Sequence, residues 1–269
     1  MSQLDIARTT DDPPALLHVI DGHVARIVFN RPGVLNAIDV STARLFLEAC
    51  RSIAATPDVR VVVMEGAGRS FVAGGDLKVF QQDRGRIAKD LIDPMHEGLD
   101  LLVRSPAPLV ASVHGVVAGA GLSLALACDL AIAASGTRFN MAYLNVGASC
   151  DVGASWSLPR VVGLRKAMEI ALLNPMLDAA EALRLGLVNG VVAADDLPSA
   201  ADEMVHRLAA GPPIATGHMK RLLRASSARS LTEQLLAERE AFAACVATED
   251  FTEALSAFVD KRPACYTGH

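Results

Sequence analysis

Apolar positions along the chain follow two regimes. In the first 194 residues, short β-type runs alternate with helical spacing. Leu16–Asp21 and Val24–Asn30 flank Gly22-His23 and predict a hairpin, which Asn30-Arg31-Pro32-Gly33 ends. Leu45, Phe46, Ala49 and Ile53 fall on one side of a helix over Ser41–Ala55. Arg60–Glu65, with three consecutive valines, reads as a strand buried on both faces. Residues Gly66–Gly75 form a glycine-containing loop, and Arg86–Arg104 is helical in part. Leu109–Val113 is a second buried strand, followed by a glycine-rich turn, an apolar helix to Cys128 and a strand over Leu130–Ala134. This alternation predicts crossover units and an α/β core over residues 1–194. From Ala194 onward the pattern is helical. Asp195–Ala210, Pro212–Ala225, Leu231–Val246 and Thr248–Asp260 predict four helices, punctuated at Gly211-Pro212-Pro213, in a C-terminal region 195–269.

Composition narrows the function classes. Hydrophobic residues make up 51 % of the 269, enough for a large core, and the net charge is −5 with Arg and Lys scattered. Neither a nucleic-acid footprint nor a basic membrane-surface patch is present. The longest apolar stretch, Pro108 to Ala134, is interrupted by Ser112, His114, Ser123 and Asp129 and does not read as a membrane span. The five cysteines are odd in number and contain no C-x-x-C pair, which argues against a disulfide framework and a zinc ribbon. Met1 to Pro14 is polar and acidic, without a signal pattern. The expectation is a cytoplasmic protein that holds no metal.

Two glycine loops follow buried strands. One runs from Gly66 to Asp76 and ends on an acid able to cap a helix; the other, Gly115 to Gly121, opens a helix. Glycine allows close approach of the backbone to a ligand, and a helix N-terminus presents unpaired N–H groups to an anion. Neither loop ends in Gly-Lys-Ser/Thr, so a P-loop is excluded. Gly119-Ala-Gly121 lacks the third glycine and the downstream acid of a dinucleotide site. Two such loops point to an oxyanion site.

The motifs around these loops resemble those of the crotonase (enoyl-CoA hydratase/isomerase) family. Phe71-Val-Ala-Gly-Gly-Asp-Leu77 is similar to its A-F-x-A-G-x-D-L segment, and Pro108 to Asp129 to its P-x-x-A-x-x-x-G-x-x-x-G-x-G-x-x-L-A-x-x-x-D block. Phe29-Asn-Arg-Pro, Leu35-Asn-Ala37, Leu158-Pro-Arg, Gly163, Ala167, Glu181 to Val188 and Phe258 to Pro263 extend the resemblance from Val24 to Pro263. It implies a crotonase-like spiral of β-β-α units, with the C-terminal helices forming a homotrimer or a dimer of trimers. It implies an acyl-CoA thioester substrate, coenzyme A being part of that substrate rather than a separate cofactor. The oxyanion donors would be the backbone N–H groups of Gly75 and Ala120. CoA contacts would fall on Arg31, Ala37, Ala73, Asp76 and Leu77, with Phe258 and Lys261 reaching CoA phosphates across a subunit interface.

A hydratase of this family typically uses two glutamates. Ser123 and Tyr143 stand at those positions. Asp151 is the only carboxylate between Asp129 and Glu169, and it lies in an apolar, glycine-containing stretch where burial would raise its pKa. The alternative role for Asp151 is a helix cap. Family members with an aspartate here include ring-opened and unsaturated acyl-CoA isomerases and 4-chlorobenzoyl-CoA dehalogenases. His96, 24 residues before Ala120, is a second candidate base, or a partly buried polar residue on its helix. With aromatics at 4 %, an aliphatic or alicyclic acyl group is favoured over a benzoyl ring. The leading reading is an enoyl-CoA isomerase in which Asp151 shuttles a proton. Behind it stand a hydratase with unusual residues, a hydrolase or dehalogenase using Asp151 and His96, and a non-catalytic CoA- or RNA-binding relative. A Ser123/His114 protease has nothing beyond residue types to mark a triad.

Overall fold

The computed structural model describes residues 13–82 and 84–269; most of the polar N-terminal segment lies outside them. β1 (Leu16–Asp21) and β2 (Val24–Phe29) pair antiparallel with Asp21 opposite Val24. Gly22 takes the positive φ (53°) that this two-residue turn requires. β2 buries Ala25, Ile27 and Phe29 on alternate positions. α1 (Val40–Ala54) starts at Asp39, whose carboxylate accepts from the Thr42 N–H (2.8 Å) and hydroxyl (2.7 Å). β3 (Val61–Gly66) carries the three valines, and α2 (Leu77–Gln82) follows the first glycine loop. The stretch expected to be helical in part is a π-helical turn at Ala88–Ile92 leading into α3 (Asp93–Arg104).

β4 (Leu109–Val113) is followed by β5 (Val116–Ala118), α4 (Ala120–Ala127), β6 (Leu130–Ala134) and β7 (Arg138–Asn140). β5 lies inside what the sequence presents as a glycine-rich turn. Its three residues are too few to show a period. Then come α5 (Ala154–Val162), α6 (Leu164–Leu173), β8 (Leu177–Asp178), α7 (Ala179–Arg184) and β9 (Gly190–Val192). The chain continues with α8 (Leu197–Ala209), α9 (Pro213–Ala225), α10 (Leu231–Val246) and α11 (Glu249–Asp260). These last four match the expected helical spans within a residue or two at each end.

The strands form two sheets. The larger has the order β1-β2-β3-β4-β6-β9, parallel apart from the β1–β2 hairpin; the smaller has the order β5-β7-β8. Strand β4 is in the larger sheet and β5 in the smaller. α4 returns the chain to β6 in the larger sheet, and β7 joins the smaller. This β-β-α repetition is the crotonase-like spiral, and the one-way strand order has no Rossmann-type reversal.

In the main core the Phe29 ring packs against those of Phe46 and Phe71, with centroids 6.1 and 6.0 Å away. The other face of the large sheet is covered by α8: Val205 packs on Val61, Val63 and Val110, while Leu197 and Ala201 pack on Ile132 and Ala134. α9 is anchored by buried charge. Lys220 Nζ bonds the Ala107 carbonyl (2.7 Å) and lies 3.1 Å from the Asp129 carboxylate. Arg224 also pairs with Asp129, and that carboxylate accepts the Leu109 N–H at 2.8 Å. No helix among the described residues is long and apolar enough to cross a membrane.

Candidate active site

The two glycine loops meet at the junction of the sheets. In the first, the Ile38 N–H donates to the Gly74 carbonyl and the Asp76 N–H to the Ile38 carbonyl, both at 2.8 Å. Gly75, bridged between those two bonds, turns its own N–H away from Ile38. Among the described residues that N–H has no backbone acceptor. In the second loop, Ala120 is the first residue of α4, and the Gly119 carbonyl receives its helical bond from Ser123 N–H (3.0 Å). The Ala120 N–H is therefore one of the donors a helix start leaves unpaired. Gly119 has φ 52° and ψ −123°, a conformation open only to glycine. A side chain on Gly121 would overlap the Val72 carbonyl, with a Cβ 2.0 Å from its oxygen.

Gly75 and Ala120 border one cavity of about 690 Å³. Its walls are mainly apolar, with Phe80, Leu91, Ile92 and Met95 among them, and Asp151 is the one carboxylate among the described residues that line it. Tyr143, Cys150 and His96 are its neighbours there. His96, Cys150 and Asp151 also line a second cavity of about 500 Å³ with Leu99, Trp156 and Arg224.

Asp151 does not cap α5: the helix N-cap is Gly153, without a side-chain cap bond. Its carboxylate instead accepts from the Tyr143 hydroxyl. That hydroxyl lies 2.7 Å from Ser123 Oγ, which is 3.2 Å from the Gly119 carbonyl. Burial pushes the Asp151 carboxyl above the usual carboxylate range, opposed in part by the Tyr143 bond and by His96. Burial also raises the Tyr143 phenol, assisted by the adjacent Asp151. The next residue, Val152, is 1 % exposed and has φ +48°, strained for a β-branched side chain. Its N–H donates to His96 Nε2 at 3.0 Å, so the α3 histidine holds the turn that aims Asp151.

The sequence marks Ser123 and Tyr143 only as places where two carboxylates are missing. It carries no signal that the two hydroxyls meet each other and Asp151, since they lie on different elements. Val152 is likewise invisible as a strained residue.

The CoA candidates of the N-terminal half gather beside the first loop. The Arg31 guanidinium binds the Ala37 carbonyl and lies 3.0 Å from Asp76 and 3.2 Å from Asp39. Ala73 N–H bonds the Leu35 carbonyl, and Leu77, half exposed, lines the cavity with Ala73. Phe258 and Lys261 lie at the exposed end of α11 and are not brought to this cavity within one chain. His114 bonds the Gly68 carbonyl, so the Ser123/His114 pairing does not form. Among the described residues no group of three or more His, Cys, Asp or Glu side chains is placed to hold a metal ion.

The sequence matches the family model for enoyl-CoA hydratase/isomerase over residues 20–269. It is 34 % identical to a 1,2-epoxyphenylacetyl-CoA isomerase of Escherichia coli K12, covering 94 % of this chain and 98 % of that protein. It is 33 % identical to a short-chain-enoyl-CoA hydratase of Clostridium acetobutylicum, covering 90 % and 93 %. The fold superimposes on the crystal structure of an enoyl-CoA hydratase from Polaromonas sp. JS666 with a TM-score of 0.88 at 34 % identity, covering 94 % of this chain and 99 % of that one. The spiral of β-β-α units, the paired glycine loops and the match over nearly the whole chain lead to one assignment: this protein belongs to the enoyl-CoA hydratase/isomerase (crotonase) family and is an acyl-CoA-processing enzyme.

Proposed function

We propose that the enzyme is an enoyl-CoA isomerase in which Asp151 moves a proton between two carbons of the acyl chain. The Asp151 carboxylate takes a proton from C2 of a 3-enoyl-CoA thioester. The electron pair left behind delocalises onto the thioester oxygen, which accepts hydrogen bonds from the Gly75 and Ala120 N–H groups. Asp151 then returns the proton at C4, and the double bond moves from C3–C4 to C2–C3. The observation that carries this reading is the lone carboxylate: Asp151 borders the same cavity as both donors, and no second acid stands there among the described residues. One acid suffices for a 1,3-shuttle, whereas hydration needs water deprotonated and a matched proton delivered to C2.

A hydratase remains the second reading, because several of the similar proteins carry that name. It would assign the water to Asp151 or Tyr143. A dehalogenase or hydrolase with His96 as base is opposed by the Val152 N–H, which already occupies His96 Nε2. Arg31, Ala37, Ala73, Asp76 and Leu77 would hold the CoA moiety at the mouth of the cavity. Phe258 and Lys261 would complete the phosphate site of a neighbouring subunit in a homotrimer or a dimer of trimers. The exposed Leu235, Phe242, Leu255 and Val259 of α10 and α11 would supply apolar contact there.

Product analysis tests the reaction. Wild type and Asp151→Asn are each given a 3-enoyl-CoA, a 2-enoyl-CoA and 4-chlorobenzoyl-CoA. Conversion of the 3-enoyl to the 2-enoyl thioester, lost in Asp151→Asn, is the expected result. Formation of a 3-hydroxyacyl-CoA at comparable rate, or release of chloride, would replace the isomerase assignment.

A further inference from the structure

The Ser123–Tyr143–Asp151 contacts end on a specific peptide group. Ser123 Oγ lies 3.2 Å from the Gly119 carbonyl oxygen. That carbonyl and the Ala120 N–H are the two ends of the same peptide bond. A hydrogen bond received by the carbonyl strengthens the N–H as a donor, because bonds in a chain polarise one another. The line of contacts therefore joins the proposed base to one of the two proposed oxyanion donors.

Counting hydrogens shows what the line does. It contains three oxygen–oxygen contacts: Asp151–Tyr143, Tyr143–Ser123 and Ser123–Gly119. An ionised Asp151 leaves two hydroxyl hydrogens for those three contacts. Tyr143 gives its hydrogen to Asp151, and Ser123 turns to the nearer Tyr143 oxygen at 2.7 Å, leaving the Gly119 carbonyl without it. A proton on Asp151 supplies a third hydrogen. The carboxyl can then donate to Tyr143, Tyr143 to Ser123, and Ser123 to the Gly119 carbonyl, filling every contact.

We propose that Ser123 and Tyr143 are positioning residues forming a hydroxyl relay, which places a hydrogen bond on the Gly119–Ala120 peptide when Asp151 takes up its proton. The catalytic meaning of the relay rests on Asp151 being the base. The substrate's proton reaches Asp151 as charge reaches the thioester oxygen. The relay thus adds its bond to the oxyanion peptide when that charge appears, and such an interaction favours the transition state over the ground state. No proton is gained or lost beyond the one taken from C2; only the hydroxyl orientations change.

The sign of a shift tests it. Infrared difference titration of the Asp151 carboxyl band, identified by its absence in Asp151→Asn, follows the group whatever reaction it catalyses. The other titratable or charged groups near Asp151 are Tyr143 and Cys150 on its own segment, His96 on α3, and Asp100 and Arg224 on the wall of the second cavity; the variants used leave all but Tyr143 unchanged. Tyr143→Phe takes contacts from both states, but it leaves the ionised carboxylate in an apolar site without its hydroxyl donor, the costlier loss, so the titration should move up. Ser123→Ala should move it down by about half a unit. It takes one contact from the ionised state and two from the protonated state. A Ser123 that only orients Tyr143 makes Tyr143 the better donor to the carboxylate, and its loss would move the titration up. Ser123→Ala is small-for-small within a helix and should fold. A downward shift in Ser123→Ala, with α-deuterium exchange of 3-hexenoyl-CoA slowed about 3- to 10-fold on its high-pH plateau, supports the relay. An upward shift, no shift, or unslowed exchange overturns it. Undiminished exchange in Asp151→Asn would instead defeat the base assignment, and the relay's catalytic role with it.

Discussion

Gly74 and Gly119 meet backbone to backbone: a Cβ built on Gly119 would lie 3.4 Å from the Gly74 Cα. Gly74 has φ +111° and Gly119 φ +52°, so both loops turn through conformations that side chains rarely adopt. Gly75 and Ala120 each follow one of these two glycines, so a shift at the contact moves their N–H groups relative to each other. Gly119→Ala should cost about 1–3 kcal/mol in strain and reduce turnover about 100-fold or more by shifting the Ala120 N–H. Thermal melting and 3-enoyl-CoA turnover measure the two effects. A variant as active as wild type would show that the loop contact does not position the hole.

Ala120→Pro separates the N–H from the helix. Proline is tolerated at the first helical position, and Ala120 is that residue. The Gly119 conformation is the mirror image of the extended one that precedes proline readily. The variant should melt close to wild type yet lose about 100- to 1000-fold in rate, the usual loss of one oxyanion donor. Ala120→Gly keeps the N–H and should lose only a few-fold in rate (~1 kcal/mol in helix propensity).

Asp151→Asn should lower the rate by about 100- to 10000-fold while leaving the fold intact. The stability effect has a definite sign. Burial raises the Asp151 pKa, so between its unfolded and folded values the folded state binds the proton that the unfolded chain has released. The contribution of this group to stability therefore falls as pH rises through the raised value. The Asn variant lacks that loss and should melt above wild type at neutral pH, with the difference disappearing at acidic pH. Melting curves across pH check it; a variant less stable at every pH would contradict the burial effect.

His96→Ala should reduce turnover about 10- to 100-fold with little change in the apparent affinity for the substrate. It removes the acceptor of the Val152 N–H and relaxes the strained turn beside Asp151. An unpaired buried N–H costs about 1–3 kcal/mol. His96→Gln, able to accept the same bond, should recover part of both losses. A change confined to substrate affinity would point to a binding role.

Asp129→Ala should destabilise the protein by about 3–5 kcal/mol, because it leaves the buried Lys220 ammonium uncompensated. Lys220→Met together with Asp129→Ala should recover part of the loss, the Arg224 guanidinium and the Leu109 N–H still lacking their acceptor. Chemical denaturation of the two variants measures the difference, and equal stabilities would show that the pair is not energetically coupled.

The sequence by itself determined the parts of the fold that local pattern controls. The hairpin at Gly22-His23 needs a residue at positive φ, β3 and β4 need both faces apolar, and the C-terminal helices repeat at helical spacing. Each of these is written in neighbouring residues. The two glycine loops were legible for the same reason: Gly115 and Gly121 stand where a backbone carbonyl leaves no room for a side chain, and Gly119 takes a positive φ. Asp151 stands out by subtraction, as the one carboxylate between Asp129 and Glu169. Tertiary structure alone decided the rest. β5, β7 and β8 are two or three residues long and become strands only because they pair with one another. α8 reads as one of four similar helices, yet its Val205 is committed to the valines of β3 and β4. The hydroxyl line from Asp151 to Gly119 joins residues 32 positions apart that share no period or motif, and His96 reaches Val152 across 56 residues. A hydrogen bond depends on where two elements come to rest against the core, and chain pattern records only which face each element buries.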